Sequence, residues 1–257
     1  MKKSFAWVVA SVIVIFAALA AFTYPGNKTE ETKLSMPTSV QVHPISHATA
    51  VLNWGENVIY TDPVGDATAF AGQSPATIVL VTDIHGDHFN TSTLENVIDT
   101  ASLIVPQAVK DLLPPDLAAK AIVLANGQTI IEKGLTATAV PMYNLPESPD
   151  SRHTKGRGNG YVLEKDGFRT YIAGDTAATP EMRALENIDL AFIPMNLPYT
   201  MGVDEAASAV LDFKPKQVYP YHYRGPDGLA DVVRFKELVT AQNQNIEVVL
   251  ANWYPQQ

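Results

Sequence analysis

Cysteine is absent from all 257 residues. That excludes disulfides, thiol catalysis, cysteine-rich zinc sites and lipoprotein acylation, and it leaves any transition metal to be held by histidine and carboxylate. Positive charge is scarce as well. Eighteen Lys and Arg face 27 Asp and Glu, for a net charge of −9. A broad attraction to nucleic acid or to an anionic membrane surface is therefore not expected. The densest basic cluster is small: Arg152, Lys155 and Arg157 within one polar loop. Internal repeats and low-complexity stretches are missing too. The composition is otherwise that of an ordinary globular protein long enough to bury one sizeable core.

One long apolar run stands out at the N-terminus. Lys2 and Lys3 precede an 18-residue stretch from Phe5 to Phe22, interrupted only by Ser11. A positive start followed by such a run reads as an export signal; the alternative is a buried N-terminal helix, against which stand the lack of a polar face and the polar tether that follows. Ala18-Leu19-Ala20 offers a cleavage point, but the run is also long enough to span a bilayer. Residues 1–26 are thus expected to be a signal peptide or an N-terminal membrane anchor, residues 27–38 a polar linker, and residues 39–257 one folded domain. Either reading places that domain outside the cytoplasmic membrane, in the periplasm or anchored and facing outward. The membrane is touched through this segment alone.

Within the domain, short strands are expected at Val40–Val42, Ala50–Asn53 and Val58–Tyr60, then a buried strand at Thr77–Thr82. Ser92-Thr93-Leu94-Glu95 reads as a capping box opening a helix that runs to about Ala101. Strands follow at Leu103–Val105 and Ile122–Leu124. Hairpins are expected around Lys133-Gly134 and Asp166-Gly167. The later elements are helices at Pro180–Leu185, Val203–Phe213 and Leu229–Gln242, and strands at Leu190–Pro194, Gln217–Tyr221 and Glu247–Leu250. Strands in early and late groups with helices between them fit helices packed outside a pair of sheets.

The chemistry-bearing residues share one trait. Asp83 to His88, Asp175 and His222 each follow the end of an expected strand, so a rigid sheet edge can hold them together. Asp83, His85, Asp87 and His88 put four potential ligands into six residues. Imidazole and carboxylate together suit zinc, iron or manganese, but one turn cannot complete a four-ligand site. The other candidates are individually ordinary. Gly174-Asp175-Thr176 is a common turn sequence, His222 is a lone histidine after a strand, and His153 lies in the polar loop from Tyr143 to Asn159.

Taken in order, Asp83-x-His85-x-Asp87-His88, then His153, then Gly174-Asp175-Thr176, then His222 resembles the metallo-β-lactamase superfamily. The resemblance extends from about Ser39 to Leu250. His153–Tyr161, with Arg and Gly after the histidine, is similar to the lactonase-like and phospholipase-D-like branches. So, for the lactonase-like branch, are His47, Asp62-Pro63 and the stretch from Met201-Gly202 to His222. The resemblance implies an α+β, four-layer αββα sandwich carrying two divalent metal ions at a sheet edge, zinc foremost, with manganese or iron as alternatives.

Carried over residue by residue, His85 and His153 bind the first ion. Asp87, His88 and His222 bind the second, and Asp175 bridges. Asp83 departs from the motif, which has histidine there. It either ligates the first ion or points away, leaving one ion well bound; ligation is the favoured reading. Two such ions hold a bridging hydroxide that attacks an ester, lactone or phosphodiester of a small-molecule substrate. Asp87 and Asp175 hold the nucleophile and take its proton. Asp62 and His47 are candidates to orient the histidines, Lys155 and Arg157 to meet an anionic group, and Asn196, Tyr199 and Met201 to line the cleft. The rival expectations are a family member that binds metal or ligand without turnover, and a β-lactamase. Oligomeric state is not encoded in any motif.

Overall fold

A computed structural model describes residues 40–254. The expected signal or anchor (residues 1–26) and linker (residues 27–38) lie outside the described residues. Among the described residues no helix is long and apolar enough to cross a membrane.

The first sheet contains β1 (Gln41–Ser46), β2 (Thr49–Trp54), β3 (Asn57–Thr61), β4 (Ile78–Leu80), β5 (Ser102–Val105) and β6 (Ala121–Val123), side by side in chain order. β1 to β3 pair antiparallel, and β3 to β6 are parallel. The second sheet is built from β7 (Thr129–Glu132), β8 (Leu135–Met142), β9 (Gly158–Lys165), β10 (Phe168–Ile172), β11 (Leu190–Pro194) and β12 (Gln217–Tyr221). A small ribbon of β13 (Arg224–Gly225) and β14 (Gly228–Leu229) follows, and β15 (Glu247–Val248) closes the second sheet beside β12. The hairpins at Lys133-Gly134 and Asp166-Gly167 are two-residue loops in which both residues have positive φ, the geometry that matches strand twist.

The helices are α1 (Thr91–Val97), α2 (Gln107–Lys110), α3 (Pro115–Lys120), α4 (Pro180–Arg183), α5 (Val203–Phe213) and α6 (Val232–Gln242). Alternation along the strands sorts the layers. In the first sheet, Leu52, Trp54, Ile78, Leu80 and Ile104 face the second sheet in one apolar core. Their neighbours Val51, Val79, Val81, Leu103 and Val105 face outward, where Leu94, Ile98, Val109, Leu113 and Leu117 cover them. The second sheet is covered by α5 and α6. Ala206, Ala207 and Ala209 are buried there, and their small side chains let the helix lie close to the strands. The result is the expected four-layer αββα sandwich.

Several details differ from the sequence-based expectation. The last long helix begins at Val232, where the Asp231 side chain caps it, and Leu229 lies in β14 instead. The cap of α1 is Asn90, whose side chain accepts the Thr93 N–H, rather than Ser92, and the helix ends at Val97 instead of near Ala101. Asn is a strong N-cap, and it sits where its oxygen reaches the third helical N–H. The short helices α2 and α3 were not expected. At four and six residues they carry too little periodicity to be read.

Candidate metal centre

The parallel strands β3 and β4 of the first sheet end next to one another, and β10 and β12 of the second end at the same sheet edge with β11 between them. Asp62, Thr82-Asp83, Gly174-Asp175 and His222 leave those ends. Three residues here, His47, Asp62 and His222, adopt left-handed backbone with φ of 56°, 44° and 47°. Such conformations cost energy for residues with a side chain, and they cluster where a site requires them.

The side chains converge in two groups joined by one carboxylate. In the first, His88 Nε2 and His222 Nε2 are 3.1 Å apart, and each lies 3.3 Å from Asp175 Oδ1. Asp87 Oδ2 is 3.3 Å from His222 Nε2. In the second, His85 Nδ1 and His153 Nε2 are 3.2 Å apart, and Asp83 Oδ2 is 2.7 Å and 3.7 Å from them. The other oxygen of Asp175, Oδ2, is 3.1 Å from His153 Nε2. Asp175 therefore faces both groups, one oxygen to each.

These residues fit divalent ions. Ligand bonds of about 2.0–2.1 Å in a tetrahedral zinc site place neighbouring donor atoms about 3.3 Å apart. The 3.1–3.3 Å separations of the His88, His222, Asp175 and Asp87 donors match that spacing. Asp175 Oδ1 is fully buried and has no hydrogen-bond partner among the described residues. A buried carboxylate oxygen left without a donor is costly unless a cation meets it.

Surrounding groups orient the rings. Asp62 is buried and its Oδ2 is 2.8 Å from His88 Nδ1. Asp62 is itself fixed by the backbone N–H and the hydroxyl of Thr82, both at 2.7 Å. With Nδ1–H donating to Asp62, His88 presents a bare Nε2 to the cluster. His153 Nδ1 lies 3.1 Å from the Tyr199 carbonyl and 3.2 Å from Asn144 Oδ1. His47 Nε2 lies 3.2 Å from Asp87 Oδ2, its Nδ1 lies 2.8 Å from the Tyr254 hydroxyl, and its ring lies against that of His222 at a 39° tilt, centroids 3.7 Å apart.

The charges are strongly coupled. Burial works against ionised His88, yet the Asp175 and Asp62 carboxylates hold its pKa well above the usual imidazole range. Burial likewise opposes ionised Asp175, and the His222 and His88 rings overcome it, leaving that carboxyl well below the carboxylate range. Asp87 is lowered against its own burial by hydrogen bonds from His222 and His47 and by the charge of His88. Burial lowers His47 and raises Asp62. A cluster that stores a proton among carboxylates is one a cation can enter by displacing that proton.

All seven sequence-predicted ligands, Asp83, His85, Asp87, His88, His153, Asp175 and His222, meet here, and Asp62 and His47 stand in the orienting positions expected of them. The expected contact of Lys155 and Arg157 with an anionic group needs revision. Lys155 is paired with Glu181 at 2.9 Å and lies over the Tyr143 ring, so its ammonium is engaged within the protein. Arg157 is engaged by Asp83, its Nε and Nη2 lying 3.2 Å and 3.0 Å from the two carboxylate oxygens. Tyr199 contributes its carbonyl, while its ring packs under Arg152. Asn196 and Met201 border a cavity of about 220 Å³ together with Leu197, Gly225 and Leu229. Asn144, Thr82 and Tyr254 were missed. No local motif marks them, because each acts through a partner distant in the chain or through a backbone turn.

A family model described as "Beta-lactamase superfamily domain" matches residues 41–222. A "UPF0173 metal-dependent hydrolase" of Thermococcus onnurineus is 34% identical over 196 residues, covering 72% of this chain and 86% of that protein. A protein of the same description from Thermus thermophilus is 32% identical over 194 residues, covering 72% and 84%. A crystal structure from Parabacteroides distasonis is 35% identical, superimposes with a TM-score of 0.72, and covers 82% of this chain and 92% of that one. Igni18, a metallo hydrolase from Ignicoccus hospitalis, shares the fold with a TM-score of 0.69 at 24% identity, covering 83% and 95%.

Proposed function

The chain belongs to the metallo-β-lactamase superfamily, and from that premise we propose that it is an exported metal-dependent hydrolase that cleaves an ester, lactone or phosphodiester bond with two divalent ions. The observation that carries this reading is Asp175, whose two oxygens face two separate clusters of metal-ligating side chains. His85, His153 and Asp175 would hold one ion, with Asp83 beside it. Asp87, His88, His222 and Asp175 would hold the other. When bound, the ions supply Lewis acidity and make water a nucleophile near neutral pH. Each cluster sets two imidazoles beside carboxylates, a donor set that suits zinc, iron or manganese.

The protein's own groups position and move protons. Asp62 sets the tautomer of His88, and the Tyr199 carbonyl does the same for His153. The Asp87 side chain is 41% exposed, so it reaches both the cluster and the substrate side. Its contact with His47, and from there with Tyr254, provides a route for a proton leaving the centre. Export rests on Lys2, Lys3 and the apolar run from Phe5 to Phe22.

The test is metal analysis of the purified protein combined with a panel of esters, lactones, phosphodiesters and a chromogenic β-lactam. Metal-dependent turnover of one of the first three classes, abolished by Asp175→Asn and by His88→Asn, is expected. Activity that survives both substitutions sinks the site assignment. Turnover of the β-lactam alone replaces the substrate class, and metal binding without any turnover favours a binding role. Cell fractionation checks export.

A further inference from the structure

The two halves of the centre are not equivalent, and the difference lies in Asp83. In the Asp87–His88–Asp175–His222 half, the carboxylates are paired with histidines whose nitrogens turn toward a common point. In the other half, the carboxylate of Asp83 is fully buried and already claimed. Arg157 grips both of its oxygens as a fork, at 3.2 Å to Oδ1 and 3.0 Å to Oδ2. Oδ2 also lies 2.7 Å from His85 Nδ1.

A bidentate guanidinium pair has three consequences. It takes one lone pair on each oxygen, it offsets the charge that would attract a cation, and it sets a fixed positive charge beside the position. Arg157 is well placed for this. It immediately precedes β9, its backbone N–H bonds the Thr154 carbonyl, and its side chain is only 20% exposed. It cannot lose its proton to make way.

We propose that Arg157 makes the two metal positions unequal: it holds Asp83 as an ion pair instead of a ligand, so the Asp87–His88–Asp175–His222 position fills first and the His85–His153 position takes a second ion only weakly. Arg157 is on this view a positioning residue that sets metal stoichiometry, and the inference rests on the two-ion reading above.

The experiment is calorimetric titration of the metal-free, full-length protein with Zn²⁺, repeated with Co²⁺ to read the ligand-field spectrum of each site. The wild type should bind one ion at least about tenfold more tightly than the next, a gap of the size that a change in a ligand's supporting partner produces. His88→Asn should remove the tight ion and His153→Asn the weak one. Arg157→Met frees Asp83 and should strengthen the second ion at least about tenfold without changing the first. If that variant does not fold, Asp83→Asn/Arg157→Met removes the ion pair as a unit, and the second ion should then bind as weakly as in the wild type. Two ions of equal affinity in the wild type overturn the inference while leaving the two-ion reading intact. So does a second ion that Arg157→Met fails to strengthen, or one that the double variant weakens about tenfold further. Absence of binding by either ion overturns both.

Discussion

Oδ2 of Asp62 lies 2.8 Å from Nδ1 of His88, with both side chains buried. This contact decides which nitrogen of His88 is bare. Asp62→Asn tests it cleanly, because asparagine tolerates the left-handed backbone at this position (φ 44°). Its amide oxygen can keep the Thr82 N–H, while its NH₂ turns toward His88 and demands that Nδ1 accept. The ring then carries its proton on Nε2, where it cannot ligate. Metal affinity should fall by about 10- to 100-fold, measured by competition with a chelating dye, with the circular dichroism spectrum unchanged. Unaltered affinity would remove the orienting role of Asp62.

The titration of the cluster predicts how stability and metal uptake depend on pH. His88 is raised above its ordinary 6.5 in the folded, metal-free protein. Its contribution to stability is therefore complete below 6.5 and is lost as pH climbs through the raised value. Asp175 is depressed below 3.8, so its contribution is present above 3.8 and is lost as pH falls through the depressed value. A metal needs His88 without its proton on Nε2, so binding releases protons and tightens as pH rises. The rise in Tm on adding Zn²⁺ should accordingly grow from about pH 6 to about pH 8. A Tm increment independent of pH in wild type, or one retained in His88→Gln, would contradict this.

Gly174 is required by space as well as by backbone. Its φ is +66°, and a Cβ there would stand 3.0 Å from Thr82 Cβ and closer still to Met142 Sδ, the atom that accepts the Asp175 N–H. Gly174→Ala should cost roughly 1–3 kcal/mol from overpacking, and about 1–2 kcal/mol more from the left-handed backbone. It should also displace Asp175 and weaken metal binding. Gly167→Ala is the control, since φ is +78° but a Cβ there meets nothing within 4 Å. Only the backbone cost, about 1–2 kcal/mol, should appear at that hairpin. Urea unfolding of the two variants checks the difference, and equal losses would show that the crowding around Gly174 does not matter.

Local signals in the chain were sufficient for many elements. The hairpin of β7 and β8 and the helix α5 lie where periodicity and turn residues place them, because a two-residue turn and an amphipathic face are set by neighbours in sequence. The start of α1 was misplaced by two residues, since Asn90 and Ser92 both have capping side chains and only the folded backbone selects between them.

At the centre, the sequence by itself determined the ligand chemistry: histidines and carboxylates, each just beyond a strand, in an order that names a superfamily. What it left open was the fate of Asp83. That depends on Arg157, 74 positions away, whose fork reaches both oxygens of the buried carboxylate only when the strand ends of the two sheets are brought together. A residue's type sets what it can bind. Which of its lone pairs remain free is set by whatever else is packed against it, and that is a property of the tertiary structure alone.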